Sequence, residues 1–496
     1  MSAIDYAVVG LYVAGMLAVG ILVSRRITGF RDFIVASGRL TAPLLACGLV
    51  STYYGLDVLF GGSEVAYQEG LVAWFVYTRP YYLAILIAAL FIARKLRQHD
   101  FLSLPDVVAR YYGNGTRGLV AVASFLYALP IVSIMGIGML LDLLLGVPFP
   151  IGVLIGAALS VVYTVLGGLL ADTLTDTVQF MLMCVTLGVA TALVLQTQGG
   201  IDGMRAALPA SYFDPTGTYP PSVLIVFAAS ALSALVEPAF FQRIFAAVSY
   251  RAVLVALLVG IGLWAAYDWA TTILGMAAAS AGIETDARYA LLTLVLDVLP
   301  VGLKGMFVAG VLATAMSTID SYLLIAGGNL AYDLYRPLVR PDMSDAAVLR
   351  LTRWMTLVAA AACVALALFF QSIVSAWIFM STMLVATATV PVLAGLYLPI
   401  RAAPAAGLAA ALTGLAAAIA FYVLVNAFGT FDAEWSTRIW TVNLAGHPIE
   451  LWQEHAVLVA LPLSAATFAV AQIFTVLRPA TIRVDAARPA PAEDGQ

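Results

Sequence analysis

Apolar residues recur along this chain in long runs separated by short polar stretches. A membrane-spanning helix needs about 20 predominantly apolar residues. Thirteen runs approach or exceed that length, near 4–24, 41–66, 71–93, 118–145, 149–169, 174–197, 221–246, 252–280, 303–329, 354–371, 374–398, 402–427 and 455–477. The pattern predicts an all-α polytopic membrane protein with about thirteen transmembrane helices. The first run is too long for the core of a secretory leader and has no small-residue cleavage site, so it reads as a retained helix. Between runs, residues 98–116 and 284–300 have the pattern of short amphipathic helices on opposite faces. Residues 198–220 and 429–452 read as polar loops. The Pro- and Ala-rich stretch 478–496 reads as a disordered tail.

Composition supports this reading. Of 496 residues, 62% are hydrophobic and 10% charged, against about 25% charged in soluble domains. Basic residues set the direction. With the N-terminus outside, nineteen Lys and Arg residues fall in inner segments and four in outer ones, Arg205, Arg288, Lys304 and Arg438. The expectation is a multi-pass protein of a bacterial-type plasma membrane, N-terminus out and C-terminus in the cytoplasm. No basic face for nucleic acid is present and no obligatory protein partner is evident. The expected partners are the lipid bilayer and a small organic solute. Cys47, Cys184 and Cys363 lie inside apolar runs and the histidines are isolated, which is neither a disulfide framework nor a zinc set. There is no GxxxxGK[ST] loop for an ATP-driven pump. No nucleophile–base pair is visible, so an enzyme is not expected.

Inside the spans the polar residues carry the information. Each ionisable group at mid-bilayer costs roughly 2.5–3.5 kcal/mol on insertion scales. Asp57, Glu64, Arg79, Asp142, Asp176, Glu237, Asp268 and Asp320 nevertheless fall within or at the edges of spans. Some can pair internally, Arg79 with Asp57 for example, but the set points to a polar pathway. The second run is interrupted at Ser51-Thr52-Tyr53-Tyr54-Gly55 and the seventh at Glu237-Pro238. Proline removes a helical hydrogen bond and clashes with the preceding turn. Two broken helices five apart are what an inverted repeat of five plus five predicts, with the solute between them. In the ninth run, ATAMSTIDSYLL, Ser317 and Ser321 share a face and Thr318 lies beside them. Hydroxyls there serve ordinary packing, or join carbonyls of a broken helix to hold sodium.

The segments STYYGLDVLFGGSEVAY, YTVLGGLLADTLTDTVQ, FFQRIFAA and ATAMSTIDS, in that order along the chain, resemble the sodium/solute symporters. That family includes proline permease, the sodium/glucose transporters and the high-affinity choline transporter. The resemblance implies a leucine-transporter-like fold. Residues 1–40 would be an extra helix and inner loop, 41–197 and 221–398 the two repeats, 402–477 two C-terminal helices and 478–496 the tail. It implies a sodium site from the carbonyls of Val50, Tyr53 and Thr314 with the hydroxyls of Ser317 and Thr318. Asp176 matches a family acid near the sodium path. Asp320 stands where relatives with a second sodium have serine, so Asp176 and Asp320 are candidates for a second cation or a proton. For the solute, Tyr53 and Tyr81 fall on aromatic cage positions, while the cage tryptophan of the seventh span is Glu237 here. Arg79 offers a partner for a solute carboxylate, and Asp57 and Asp268 complete the candidate set. The function implied is sodium-coupled import by alternating access, of an amino acid or related zwitterion first. A cationic amine, a sugar or a monocarboxylate are alternatives, as are a proton-coupled carrier and a symporter-like sensor.

Overall fold

The computed structural model describes residues 1–24, 29–370, 372–398, 403–432, 435, 437–444 and 447–477. The expected tail at 478–496 lies outside the described residues. Helices dominate. In chain order the main ones are α1 (Ala3–Ser24), α2 (Ala42–Tyr53), α3 (Asp57–Glu69), α4 (Ala73–Leu96), α5 (Leu104–Tyr112), α6 (Asn114–Leu145), α7 (Phe149–Thr197) and α8 (Pro221–Ala246). They continue with α9 (Tyr250–Ser280), α10 (Ala287–Val298), α11 (Leu303–Val339), α12 (Asp345–Ala367), α13 (Ile373–Tyr397), α14 (Pro404–Phe428) and α15 (Gln453–Thr475).

By length and apolar composition, ten described helices can cross a membrane, or eleven if the bent pair α2 and α3 counts as one span. The difference from the expected thirteen falls at the first and fifth positions, where only shorter apolar pieces, Ala3–Met16 and Phe149–Ala158, pass the same test. The fifth and sixth expected spans, and the Gly-Gly pair between them, lie within the single 49-residue element α7.

The amphipathic helix expected on one face is α5, started by the Ser103 side chain accepting from the Asp106 N–H. Its counterpart on the other face is α10. The loop at 429–452 is a correction: it folds into an antiparallel three-stranded sheet of β1 (Thr430–Asp432), β2 (Thr437–Leu444) and β3 (His447–Trp452). Thr, Ile, Trp and Val in TRIWTVNL suit a pleated, half-buried surface.

At the centre stands α11, buried along its membrane length. A Cβ on its Gly310 would lie 2.2 Å from the Thr186 hydroxyl of α7, so only glycine lets these helices approach this closely. The second span breaks as expected, but later than the sequence places it. Ser51, Thr52 and Tyr53 remain helical, the break is Tyr54-Gly55-Leu56, and the two halves meet at 52°. The seventh span narrows to a 3-10 turn at Ala231–Leu235 and breaks before Pro238. A third interruption, at residues 128–130 of α6, was not expected; Pro130 explains it, having no N–H to continue the ladder.

Candidate functional site

The break after Tyr53 leaves the carbonyls of Ser51 and Thr52 without helical donors, and α11 supplies them. The Ser317 hydroxyl lies 2.9 Å from the Ser51 carbonyl and 3.2 Å from that of Thr314. The Thr318 hydroxyl lies 3.1 Å from both the Thr52 and the Thr314 carbonyls. Five neutral oxygens therefore converge between buried residues of α2 and α11. Hard oxygen donors of this kind suit a small hard cation. Three of the expected ligands, Thr314, Ser317 and Thr318, are brought together. The α2 carbonyls that meet them are those of Ser51 and Thr52, whereas the Val50 carbonyl accepts from the Tyr54 N–H at 3.0 Å. The Val50 carbonyl is used up because α2 continues through Tyr53, and the Ser317 and Thr318 hydroxyls reach the Ser51 and Thr52 carbonyls rather than that of Tyr53.

Beside this spot lie two adjoining cavities that share Tyr53, Asp57 and Trp377. The first, about 440 Å³ with its mouth included, is lined among others by Tyr54, Tyr77, Tyr81, Tyr82, Trp264 and Asp268. The second, about 420 Å³, reaches Thr52, Thr318, Tyr322 and the interruption of α6. Aromatic rings form the walls. Tyr53 has Phe240 at 4.6 Å, Trp264 at 5.4 Å and Tyr81 at 6.4 Å between ring centroids, and Tyr81 has Trp377 at 5.3 Å. Asp57 is half-buried and meets no side-chain donor among the described residues. Asp268 is buried, with the Tyr54 hydroxyl donating at 2.8 Å and the Tyr82 hydroxyl donating as well. Among the described residues, no basic side chain lines either cavity.

Arg79 is the clearest correction among the solute candidates. It is exposed, its guanidinium lies over the Phe75 ring at 5.4 Å, and it pairs with neither Asp57 nor Glu237. It sits at the start of a helical turn, Arg79–Ile87, whose buried face carries Tyr81, Ala84 and Ile85 instead. Glu237 is buried but stands behind the cavities. Its carboxylate accepts from the Ala239 N–H at 3.1 Å, capping the second half of α8, and from the Tyr322 hydroxyl at 3.1 Å. Tyr53, Tyr81, Asp57 and Asp268 do line the first cavity.

On the far side of the break is a buried charged network. Arg243, with 1% of its surface exposed, donates to the Thr52 hydroxyl and, at 2.8 Å, to the Ser321 hydroxyl. The same nitrogen lies 3.4 Å from Asp172 and 3.7 Å from Asp176. Ser321 donates to Asp172 at 2.5 Å, and Thr52 to Asp176 at 3.2 Å. Asp320 accepts from Thr164 at 2.8 Å. Arg243 and Asp172 escaped the sequence reading. An arginine within an apolar stretch, and an acid four residues before Asp176 on one helical face, were the available signals. Tyr54, Tyr82, Trp264 and Trp377 were also missed, because aromatic residues are equally at home facing lipid.

Comparison with known proteins adds the evolutionary frame. Residues 33–415 match the sequence profile of the sodium:solute symporter family. The human high affinity choline transporter 1 is 27% identical over 377 residues, which is 71% of this chain and 63% of the transporter's own length. The sodium/proline symporter of Haemophilus influenzae is 26% identical over 382 residues, covering 71% of this chain and 75% of that protein. Among solved structures, a Na+-coupled sialic acid symporter in its substrate-bound, outward-open state superposes with a TM-score of 0.75 at 18% identity, over 96% of this chain and 98% of that one. Mhp1, a nucleobase-cation-symport-1 family transporter in a closed conformation, superposes with a TM-score of 0.53 at 11% identity, over 89% and 95%. The fold is the leucine-transporter-like one.

Proposed function

The chain belongs to the sodium:solute symporter family, and from that premise we propose that it is a sodium-coupled symporter importing a small organic cation. The observation that carries the solute class is the first cavity: aromatic walls, two carboxylates, and no basic side chain. A desolvated cation over such rings gains on the order of 2 kcal/mol, and Asp57 and Asp268 supply the balancing charge. A zwitterion would find no cationic partner for its carboxylate, since Arg79 faces away. The choline transporter among the relatives fits the same reading.

Sodium would be held by Thr314, Ser317 and Thr318 with the carbonyls freed at the break. Its bound charge favours the bent arrangement of α2 and α3 against α11, which carries Tyr53, Tyr54 and Asp57 into the cavity wall. Sodium and solute thus stabilise one arrangement, and each raises the other's affinity. Closing the aromatic walls over the solute expels water before the pathway opens on the other side.

Thermal stability of the purified protein tests this reading. A ligand that binds only the folded state raises the melting temperature. Small amines are expected to do so in sodium but not in potassium, while amino acids, sugars and monocarboxylates are not. Stabilisation by an amino acid or sugar, with none by any amine, would sink the organic-cation reading.

A further inference from the structure

Three residues from three parts of the fold meet at one edge of the first cavity. They are Tyr54 in the break, Tyr82 on α4 and Asp268 on α9. Tyr54 donates to one carboxylate oxygen of Asp268 at 2.8 Å, and Tyr82 donates to the other. Neighbouring hydroxyls do not compete. Thr271, 3.1 Å from the Tyr54 hydroxyl, gives its proton to the Tyr267 carbonyl at 2.7 Å. Thr78, 3.5 Å from the Tyr82 hydroxyl, gives its own to the Trp74 carbonyl at 3.2 Å. A phenol has a single proton to donate. Both are spent on Asp268, so each phenol oxygen has only lone pairs left to offer, polarised by the carboxylate behind it. With Asp57 beside them, this edge consists of acceptors.

One further lining residue has the reverse character. The Trp264 Nε1–H, on a residue one helical turn before Asp268 on α9, is buried and has no hydrogen-bond partner among the described residues, and Trp264 lines the same cavity, whereas the Tyr81 hydroxyl has the Ser233 and Ser381 hydroxyls beside it. The Trp264 N–H is a donor.

We propose that the solute's positive centre is a protonated amine that still carries N–H bonds, rather than a quaternary ammonium, and that its other end bears an acceptor oxygen. This rests on the organic-cation reading and sharpens it. A quaternary centre satisfies ring faces but offers nothing to the Tyr54 and Tyr82 oxygens. A site built to hydrogen-bond a group discriminates strongly against an analogue that lacks it, because its own polar atoms are then left unpaired. An ammonium turned towards Tyr54, Tyr82 and Asp57, with a hydroxyl turned towards the Trp264 N–H, satisfies both the acceptors and the donor. The solute then has the functional groups of an amino alcohol.

A methylation series decides the matter. Melting temperatures of the purified full-length protein in sodium chloride are titrated with ethanolamine, N-methylethanolamine, N,N-dimethylethanolamine and choline. The expected apparent affinity drops about tenfold at the step that removes the last N–H, the size of one charge-assisted hydrogen bond. In Tyr82→Phe the ratio between ethanolamine and choline should shrink several-fold. Choline binding as tightly as the N–H members overturns the inference but leaves the organic-cation reading standing. An unchanged ratio in Tyr82→Phe overturns the role given to the Tyr82–Asp268 pair. Binding of none of the four overturns the organic-cation reading and the inference together.

Discussion

Arg243 shows how one buried side chain organises this site. Its guanidinium joins α2, α7 and α11 through Thr52, Asp172, Asp176 and Ser321. Removing one partner of a buried ion pair costs about 3–5 kcal/mol, because the remaining charges stay uncompensated. Arg243→Ala is therefore expected to lower the melting temperature sharply in the absence of any solute, as circular dichroism or dye-free fluorimetry would read. An unchanged midpoint would mean that the network is not load-sharing between these helices. Arg79 is the instructive contrast. Both arginines sit in apolar sequence, and the order of residue types along the chain does not tell which faces the interior. The direction depends on which side of a helix packs against a neighbour. Tyr53 and Tyr81 were legible because they flank recognisable motifs; Trp264 and Trp377 were not, since nothing local separates a cavity wall from a lipid-facing surface.

At the scale of elements, the break between α2 and α3 is the feature on which the proposed sodium site rests. Gly55 is part of it: a Cβ there would lie 3.0 Å from the Thr318 hydroxyl and 2.3 Å from the Asp57 carboxylate, so the chain passes α11 closely only with glycine. The Ser317 and Thr318 hydroxyls then serve the exposed carbonyls. Ser317→Ala with Thr318→Ala is expected to abolish the sodium-dependent rise in melting temperature. The baseline should fall moderately, by about 1–3 kcal/mol for each buried carbonyl left unpaired. A sodium response that survives in this double variant would place the ion elsewhere. Breaks of this kind announce themselves through glycine and proline, which is why those at Gly55 and Pro238 were readable. The sheet at β1–β3 was less so: its polar residues suggested a loop, although TRIWTVNL already has β-branched and aromatic residues in the proportion a strand favours. The junction of the fifth and sixth expected spans is not marked by any helix-ending residue strong enough to divide α7.

Taken as a whole, the molecule is a bundle around α11 in which the proposed sodium site and the second cavity share Thr52 and Thr318. Hydropathy made the membrane architecture plain, because nothing but lipid can cover so apolar a chain. Repeat symmetry followed from two breaks at matching positions. The solute did not follow, because its recognition depends on which side chains turn inwards together. Coupling a cation to sodium has an energetic signature. Each charge crossing the membrane contributes about 2.3 kcal/mol per 100 mV, so one sodium with one organic cation moves two charges and gains about 4.6 kcal/mol from the potential alone. The most direct measurement is the current and the tracer flux recorded together in proteoliposomes, using the amine that stabilises the protein best. The account predicts uptake that requires sodium and a ratio of about two charges per solute molecule for one sodium. Uptake indifferent to sodium, or no charge movement accompanying the solute, would contradict it.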